Sequence, residues 1–396
     1  MRLAIVTPFP PSEVTLNEYG FHFVHSFLGK HTVDQLYILT NSLTDDNSYR
    51  PLENEQISIK PCWKFNGLFN TFTIMREISR IKPDLILMNL QFMTFGDKKV
   101  PAALGLFLPW ACRLFGYPSI VLLHNITETV SFKKIGMSGY IVHERLLKLV
   151  GKLLTRAILK ADIVGLTFTK YVNLIRKQYN VRNTFLFPHG NFDLPERLYL
   201  PRYPTEIRLL TFGKFGTYKR VEILLDALTM LESSYPTLSF KVVIAGTDNP
   251  NVSGYLDSVK RQYVHITNVI YTGYVPEDQV ELLFKESTFV VFPYTTTTGS
   301  SGILHQAGSY GRACIFPHID DLMRLVSEEG YDGEYFEVGN VESLVGAIGK
   351  LIDDPDRRIQ IEDKNYEAAS GLPMADLAEW YIAHGRALVE KHKQKV

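Results

Sequence analysis

Along the first half of the chain, short apolar runs rich in β-branched residues recur at residues 3–8, 35–40, 84–89, 119–124, 163–169 and 184–187. A second series follows at residues 207–212, 240–245, 269–272, 289–293 and 313–316. Between the runs, apolar positions return every three or four residues, as on one face of a helix. Continuous apolar strands separated by amphipathic helices predict parallel sheets covered on both faces, and two such series predict two doubly wound α/β domains. The segment 193–206 has three prolines and no periodicity and reads as a linker. The expected division is therefore 1–192, a linker 193–206, and 207–374. A helical pattern at 375–391, with Leu377, Trp380, Tyr381 and Leu388, is expected to pack back on the first domain.

Length and composition agree with this division. A chain of 396 residues exceeds one ordinary core, and 45% hydrophobic with 21% charged residues is a globular balance. Net charge is zero, which argues against a nucleic-acid binder, but residues 1–200 hold 23 Lys and Arg against 15 Asp and Glu. The first half is thus basic and the second acidic, which suggests an anionic partner or membrane surface for the first. Three cysteines without a CxxC pair predict a reduced, cytoplasmic protein with no disulfide framework or zinc site. The longest apolar run, residues 100–110, is too short to span a bilayer.

Candidate chemistry gathers at predicted strand ends, where doubly wound sheets bind ligands. One run ends in His124-Asn125, another in Pro188-His189-Gly190-Asn191, and the first of the second series in Gly213-Lys214. The stretch Gly213-Lys214-Phe215-Gly216-Thr217-Tyr218-Lys219-Arg220 then leads into a predicted helix. Small residues, helix-start N–H groups and two lysines suit a diphosphate. The run 269–272 leads into Gly273-Tyr274-Val275-Pro276, and 289–293 into a loop containing Thr298, Gly299, Ser300, Ser301 and Gly302 before a helix with Gln306. That loop offers a second set of N–H donors without anionic side chains.

The order of these motifs resembles the retaining, two-Rossmann-domain glycosyltransferases of family 4 over nearly the whole chain. The resemblance implies the GT-B fold, two doubly wound Rossmann-like domains facing across a cleft. Gly213-Lys214-x4-Lys219 is similar to that family's G-R-x4-K phosphate turn, Ile244-Ala245-Gly246 to its second strand of the C-terminal domain, and Gly273-Tyr274-Val275 to its base-binding stretch. Glu337-Val338-Gly339-Asn340-Val341-Glu342 resembles its P-G-D-x-E segment. The family's E-x7-E motif is degenerate here, with Thr298 and Gln306 at the glutamate positions.

The implied activity is transfer of a sugar from a nucleotide-diphosphate donor to a saccharide, lipid-linked or small-molecule acceptor. By the resemblance, transfer proceeds with retention, and Lys214, Lys219 and the loop amides stabilise the leaving diphosphate. No D-x-D stands at a strand end to hold a metal, and no cofactor is expected beyond the nucleotide sugar. His124 resembles a sugar-positioning histidine, Gly20 the glycine of a loop touching the donor phosphate, and Glu18 and Asn125 are acceptor-side candidates. A basic, amphipathic stretch at 132–154, with the apolar run 100–110, suggests peripheral membrane contact. A silent nucleotide-sugar-binding protein and a sugar-nucleotide epimerase or hydrolase of the same fold are the competing readings. A dehydrogenase is disfavoured, since G-x-G-x-x-G follows neither first strand.

Overall fold

The computed structural model describes residues 1–126, 141–192, 194–197, 199–249, 252–297 and 301–394, without the side chains of residues 46, 141–148 and 277. Two parallel sheets, each with helices between successive strands, divide the chain into two units. The first contains β1 (Arg2–Val6), β2 (Gln35–Asn41), β3 (Ile57–Trp63), β4 (Leu85–Leu90), β5 (Ser119–Leu123), β6 (Ile163–Leu166) and β7 (Thr184–Leu186). Their spatial order is β3-β2-β1-β4-β5-β6-β7. The second contains β8 (Glu206–Phe215), β9 (Ser239–Asp248), β10 (Val269–Gly273), β11 (Phe289–Val291), β12 (Ala313–Pro317) and β13 (Gly333–Phe336), ordered β10-β9-β8-β11-β12-β13. Both are doubly wound.

Two strands escape the apolar-run pattern, β3 and β13, and both lie at sheet edges. β3 carries Pro61, which an edge tolerates because one side of the strand has no neighbour to receive its missing N–H. β13 is four residues long with half-exposed Glu334 and Tyr335, so it offers little hydrophobic signal.

The helix Met374–Lys393 belongs with the first unit. Tyr381 packs its ring 5.1 Å from Phe23 and 4.8 Å from Phe187, and Lys30 pairs with Glu379 at 2.7 Å. In the second unit, Leu209, Leu225, Leu228, Val242, Ile244 and Ile348 are among the residues of a continuous buried core. That core leaves the carboxyl ends of the strands to the polar and glycine positions described next.

Candidate functional site

In the second sheet, strand order departs in opposite directions from β8 and β11, so the topology switches between them. Ligand crevices of open α/β sheets lie beyond the carboxyl ends at such a point. β8 runs further than its apolar run predicts, through Phe215, because β9 continues alongside it and pairs Gly213 with Gly246, Lys214 with Thr247 and Phe215 with Asp248. Gly213 and Lys214 are therefore strand residues, and the turn starts at Gly216.

Glycine stands at the paired strand positions of this edge. Gly213 and Gly246 adopt φ of 136° and 131°, which side-chain-bearing residues avoid. A Cβ on Gly246 would lie 1.9 Å from the Gly213 carbonyl oxygen. One on Gly213 would lie 2.4 Å from Lys219 Nζ and 3.4 Å from Ile303 Cδ1. Gly273 ends the next strand with open space where a Cβ would be. Beyond it Tyr274 is exposed and Val275 buried.

Lys219 is the side chain this edge is built around. It is 8% exposed, and its Nζ donates to the Phe212 carbonyl at 3.3 Å and lies 4.9 Å from the centre of the Tyr294 ring. Its backbone bridges Tyr294, while Arg220 N–H donates to Pro293 O at 2.9 Å and Thr295 N–H to Tyr218 O at 2.8 Å. The turn is thereby laced to the exit of β11, across the switch point. Burial pushes the Lys219 ammonium down to about 7. Among the described residues no carboxylate forms an ion pair with it, so its charge is solvated by one carbonyl and the faces of Tyr218 and Tyr294.

Two elements next to Lys219 behave differently. The helix Glu222–Ser234 was expected to turn its first N–H groups toward an anion, and the structure corrects this. Val221 N–H donates to Tyr255 Oη at 2.9 Å, the Tyr255 hydroxyl donates to Glu222, and Arg220 pairs with Glu222 at 2.6 Å. Burial opposes ionisation of Glu222, but the bonds from Arg220 and Tyr255 prevail and hold its carboxyl below the ordinary value. This helix start is filled by its own carboxylate.

The helix Gly302–Ser309 instead has no acidic residue in its first turn and no side-chain cap from Ser301. The Tyr294 hydroxyl bonds Ser301, and Ile303 touches the space above Gly213, so this helix start lies by the Lys219 cluster. Gln306 is half-buried one turn along, and Lys214 is exposed at the end of β8. Thr298, Gly299 and Ser300 lie outside the described residues, as does the basic stretch 132–140. Behind the helix, His305 Nδ1 is 2.9 Å from Asn191 Oδ1, and Asn191 Nδ2 donates to Ala369 O at 2.7 Å. His305 Nε2 lies 3.4 Å from Glu329, whose carboxyl burial raises to about 8.

The first sheet switches between β1 and β4. Asn89 Nδ2 donates to Thr7 Oγ1 at 3.0 Å, Thr7 Oγ1 donates to Pro8 O at 2.9 Å, and Asn89 Oδ1 lies 2.6 Å from His124 Nε2. With its amide nitrogen committed to Thr7, Asn89 presents its oxygen to His124, which fixes the proton on Nε2. Tyr19 packs edge-on at 4.6 Å from both His124 and His189, and its hydroxyl donates to His189 O at 2.8 Å. Desolvation, helped by His189, holds the His124 imidazole well below the ordinary histidine range. His124 is neutral here, with Nδ1 as its remaining acceptor.

One donor-side expectation, Gly20 in a phosphate loop, is corrected. Gly20 lies in no loop; it is inside the helix Asn17–His25, where a Cβ would meet Pro8 O at 2.3 Å and Thr7 Oγ1 at 2.4 Å. Its small size permits helix and strand to touch. Glu18 is half-buried in the first turn of that helix, and Asn125 Oδ1 accepts from Phe92 N–H at 3.1 Å. Asn89, Tyr255 and Tyr294 were absent from the sequence reading of the site. Only their positions at strand or helix ends distinguish them from ordinary core and surface residues. Among the described residues no three His, Cys, Asp or Glu are placed to hold a metal.

Residues 206–354 match the family described as Glycosyl transferases group 1. An uncharacterized glycosyltransferase of Haemophilus influenzae is 23% identical over 259 residues, covering 64% of this chain and 68% of that protein. Sucrose-phosphate synthase from Thermosynechococcus elongatus aligns over 99% of this chain and all of its own, with TM-score 0.74 and 15% identity. Anabaena HepE in complex with UDP-glucose aligns over 98% of this chain and all of its own, with TM-score 0.70 and 15% identity.

Proposed function

The chain carries a domain of the glycosyl transferases group 1 family, and from that premise we infer that it transfers a sugar from a nucleotide-diphosphate donor bound at the carboxyl edge of the second sheet. The buried Lys219 carries the inference. A desolvated ammonium with no carboxylate partner among the described residues, above two strand-end glycines, is poorly solvated until an anion reaches it. A diphosphate would restore its full charge, with exposed Lys214 and the start of the helix Gly302–Ser309 as further donors. The same groups would stabilise the departing diphosphate as the anomeric bond lengthens, a role that requires no metal. A uridine nucleotide is the first donor to try, since HepE is described with UDP-glucose. Gly273, Tyr274 and Val275 would take the base, and Gln306 a ribose hydroxyl through its amide oxygen.

Retention follows in this proposal from attack on the donor's own face. The acceptor oxygen bonds to the anomeric carbon as the carbon–phosphate-oxygen bond breaks, and the acceptor proton passes to the leaving diphosphate. His124, neutral and fixed by Asn89, suits hydrogen bonding to a sugar hydroxyl through Nδ1.

A thermal-shift panel of nucleoside diphosphates and nucleotide sugars, with and without EDTA, tests the reading on wild type and Lys219→Met. One nucleoside diphosphate should raise the wild-type Tm by several degrees at 100 Kd, about 2.7 kcal/mol of linkage, and EDTA should change nothing. The variant should not respond. A wild-type protein indifferent to every nucleotide would remove the donor assignment.

A further inference from the structure

The helices flanking β4 in the first unit carry apolar side chains on the wrong face. Asn70–Ile81 buries Ile74, Met75, Ile78 and Ile81 against the sheet, yet Phe72 is 67% exposed and the preceding Phe69 74%. Lys99–Gly105 and Leu108–Leu114 bury Pro101, Ala102, Leu108 and Cys112, yet leave Val100, Trp110 and Leu114 exposed, with Phe115 beyond them at 66%. A helix that is apolar on both sides is made to be covered on both. Between these helices runs an open groove of about 570 Å³, apolar except for Thr71, Arg76 and Ser79. Thr71 Oγ1 donates to Leu104 O at 2.7 Å and holds the groove walls together. Exposed aromatic and aliphatic side chains gathered on one face mark an interaction surface.

We propose that this face docks on an anionic lipid bilayer, seating the aromatic ridge among the acyl chains. Charge selects that occupant. Residues 64–115 hold seven Lys and Arg against three Asp and Glu. Among the described residues, Glu77 pairs with Arg80 and Asp97 accepts from Asn66, whereas no carboxylate pairs with Arg76, Lys98 or Lys99. An apolar face edged by cations is complementary to anionic headgroups over hydrocarbon. A second copy of the chain would bring the same cations against each other across a two-fold axis. No described helix is long and apolar enough to cross a membrane, so the contact is interfacial. The surface would bring the enzyme to an acceptor carried on lipid.

Co-sedimentation with vesicles of phosphatidylcholine alone and of phosphatidylcholine with phosphatidylglycerol tests the proposal. Wild type should pellet with the anionic vesicles at least tenfold better than with the neutral ones. Trp110 emission, read in a Trp63→Phe/Trp380→Phe protein that keeps no other tryptophan, should shift to shorter wavelength as the anionic vesicles are added. The triple variant Phe69→Ser/Phe72→Ser/Phe115→Ser should remain in the supernatant while its thermal response to UDP matches wild type, which separates this surface from the donor site. Arg76→Glu/Lys99→Glu should weaken binding tenfold or more with the aromatic ridge intact. Wild type left in the supernatant, or a triple variant that pellets equally, overturns the proposal. So does a concentration-dependent dimer abolished by the triple variant, which would assign the face to a second copy.

Discussion

The two sheets share a winding and differ in what stands at their switch points. In the first, Thr7, Asn89 and a neutral His124 are joined by hydrogen bonds, with Tyr19 and His189 packed around the imidazole. In the second, the corresponding place holds two strand-end glycines and a buried ammonium that, among the described residues, pairs with no carboxylate. The first edge keeps His124 Nδ1 as an open acceptor, whereas in the proposed reading the second gains its electrostatic balance from a bound anion. A shared topology locates a crevice, and the residues at the strand ends determine whether it awaits a ligand.

Filling the bare edge should have the largest effect. Gly246→Ala places a Cβ against the Gly213 carbonyl at a φ closed to alanine. A loss of about 3–5 kcal/mol is expected, with the nucleotide response gone, as read by denaturant titration and thermal shift. A Gly246→Ala protein as stable as wild type would show that the edge has room to spare.

Lys219→Met asks whether the second edge sacrifices stability for its cation. The Lys219 pKa is depressed from 10.5 to about 7, so between those values the unfolded chain binds more protons than the folded one. The penalty is fully present below about pH 7 and fades as pH rises toward 10.5. The variant should therefore be more stable than wild type without ligand at pH 6–7, on the order of a few kcal/mol, with the advantage shrinking at higher pH. A variant less stable at pH 6 would mean that the ammonium is already satisfied.

The smallest effect belongs to the first edge. Asn89→Leu strands His124 Nε2–H and Thr7 Oγ1 and should cost about 1–3 kcal/mol in urea unfolding. The nucleotide-induced shift should remain, because it arises in the other unit. Loss of that shift would mean that the two edges are not chemically independent.

Nine strands and the twofold series were readable because central parallel strands are buried on both faces and must be apolar, and the edge strands β7 and β10 were readable because their short runs are apolar despite exposure. The edge strands β3 and β13 were not, since an edge accepts Pro61 and half-exposed polar residues. Lys219 was legible from its spacing to Gly213, but its burial was not, because that depends on Tyr294 and the exit of β11, some seventy residues away. Asn89 gave no signal for a similar reason: its role is set by Thr7 and His124, which come from other strands. Gly20 read as a loop glycine because close helix–strand contact and loop freedom call for the same residue.

The return of the helix Met374–Lys393 to the first unit has a consequence for the order in which the protein matures. The second unit comprises residues 190–297 and 301–373, so its sequence is complete as soon as Pro373 is synthesised, whereas the first must wait for Tyr381 to cover Phe23 and Phe187. The domain begun first on the ribosome is thus finished last, and its aromatic seam stays open throughout translation of the second.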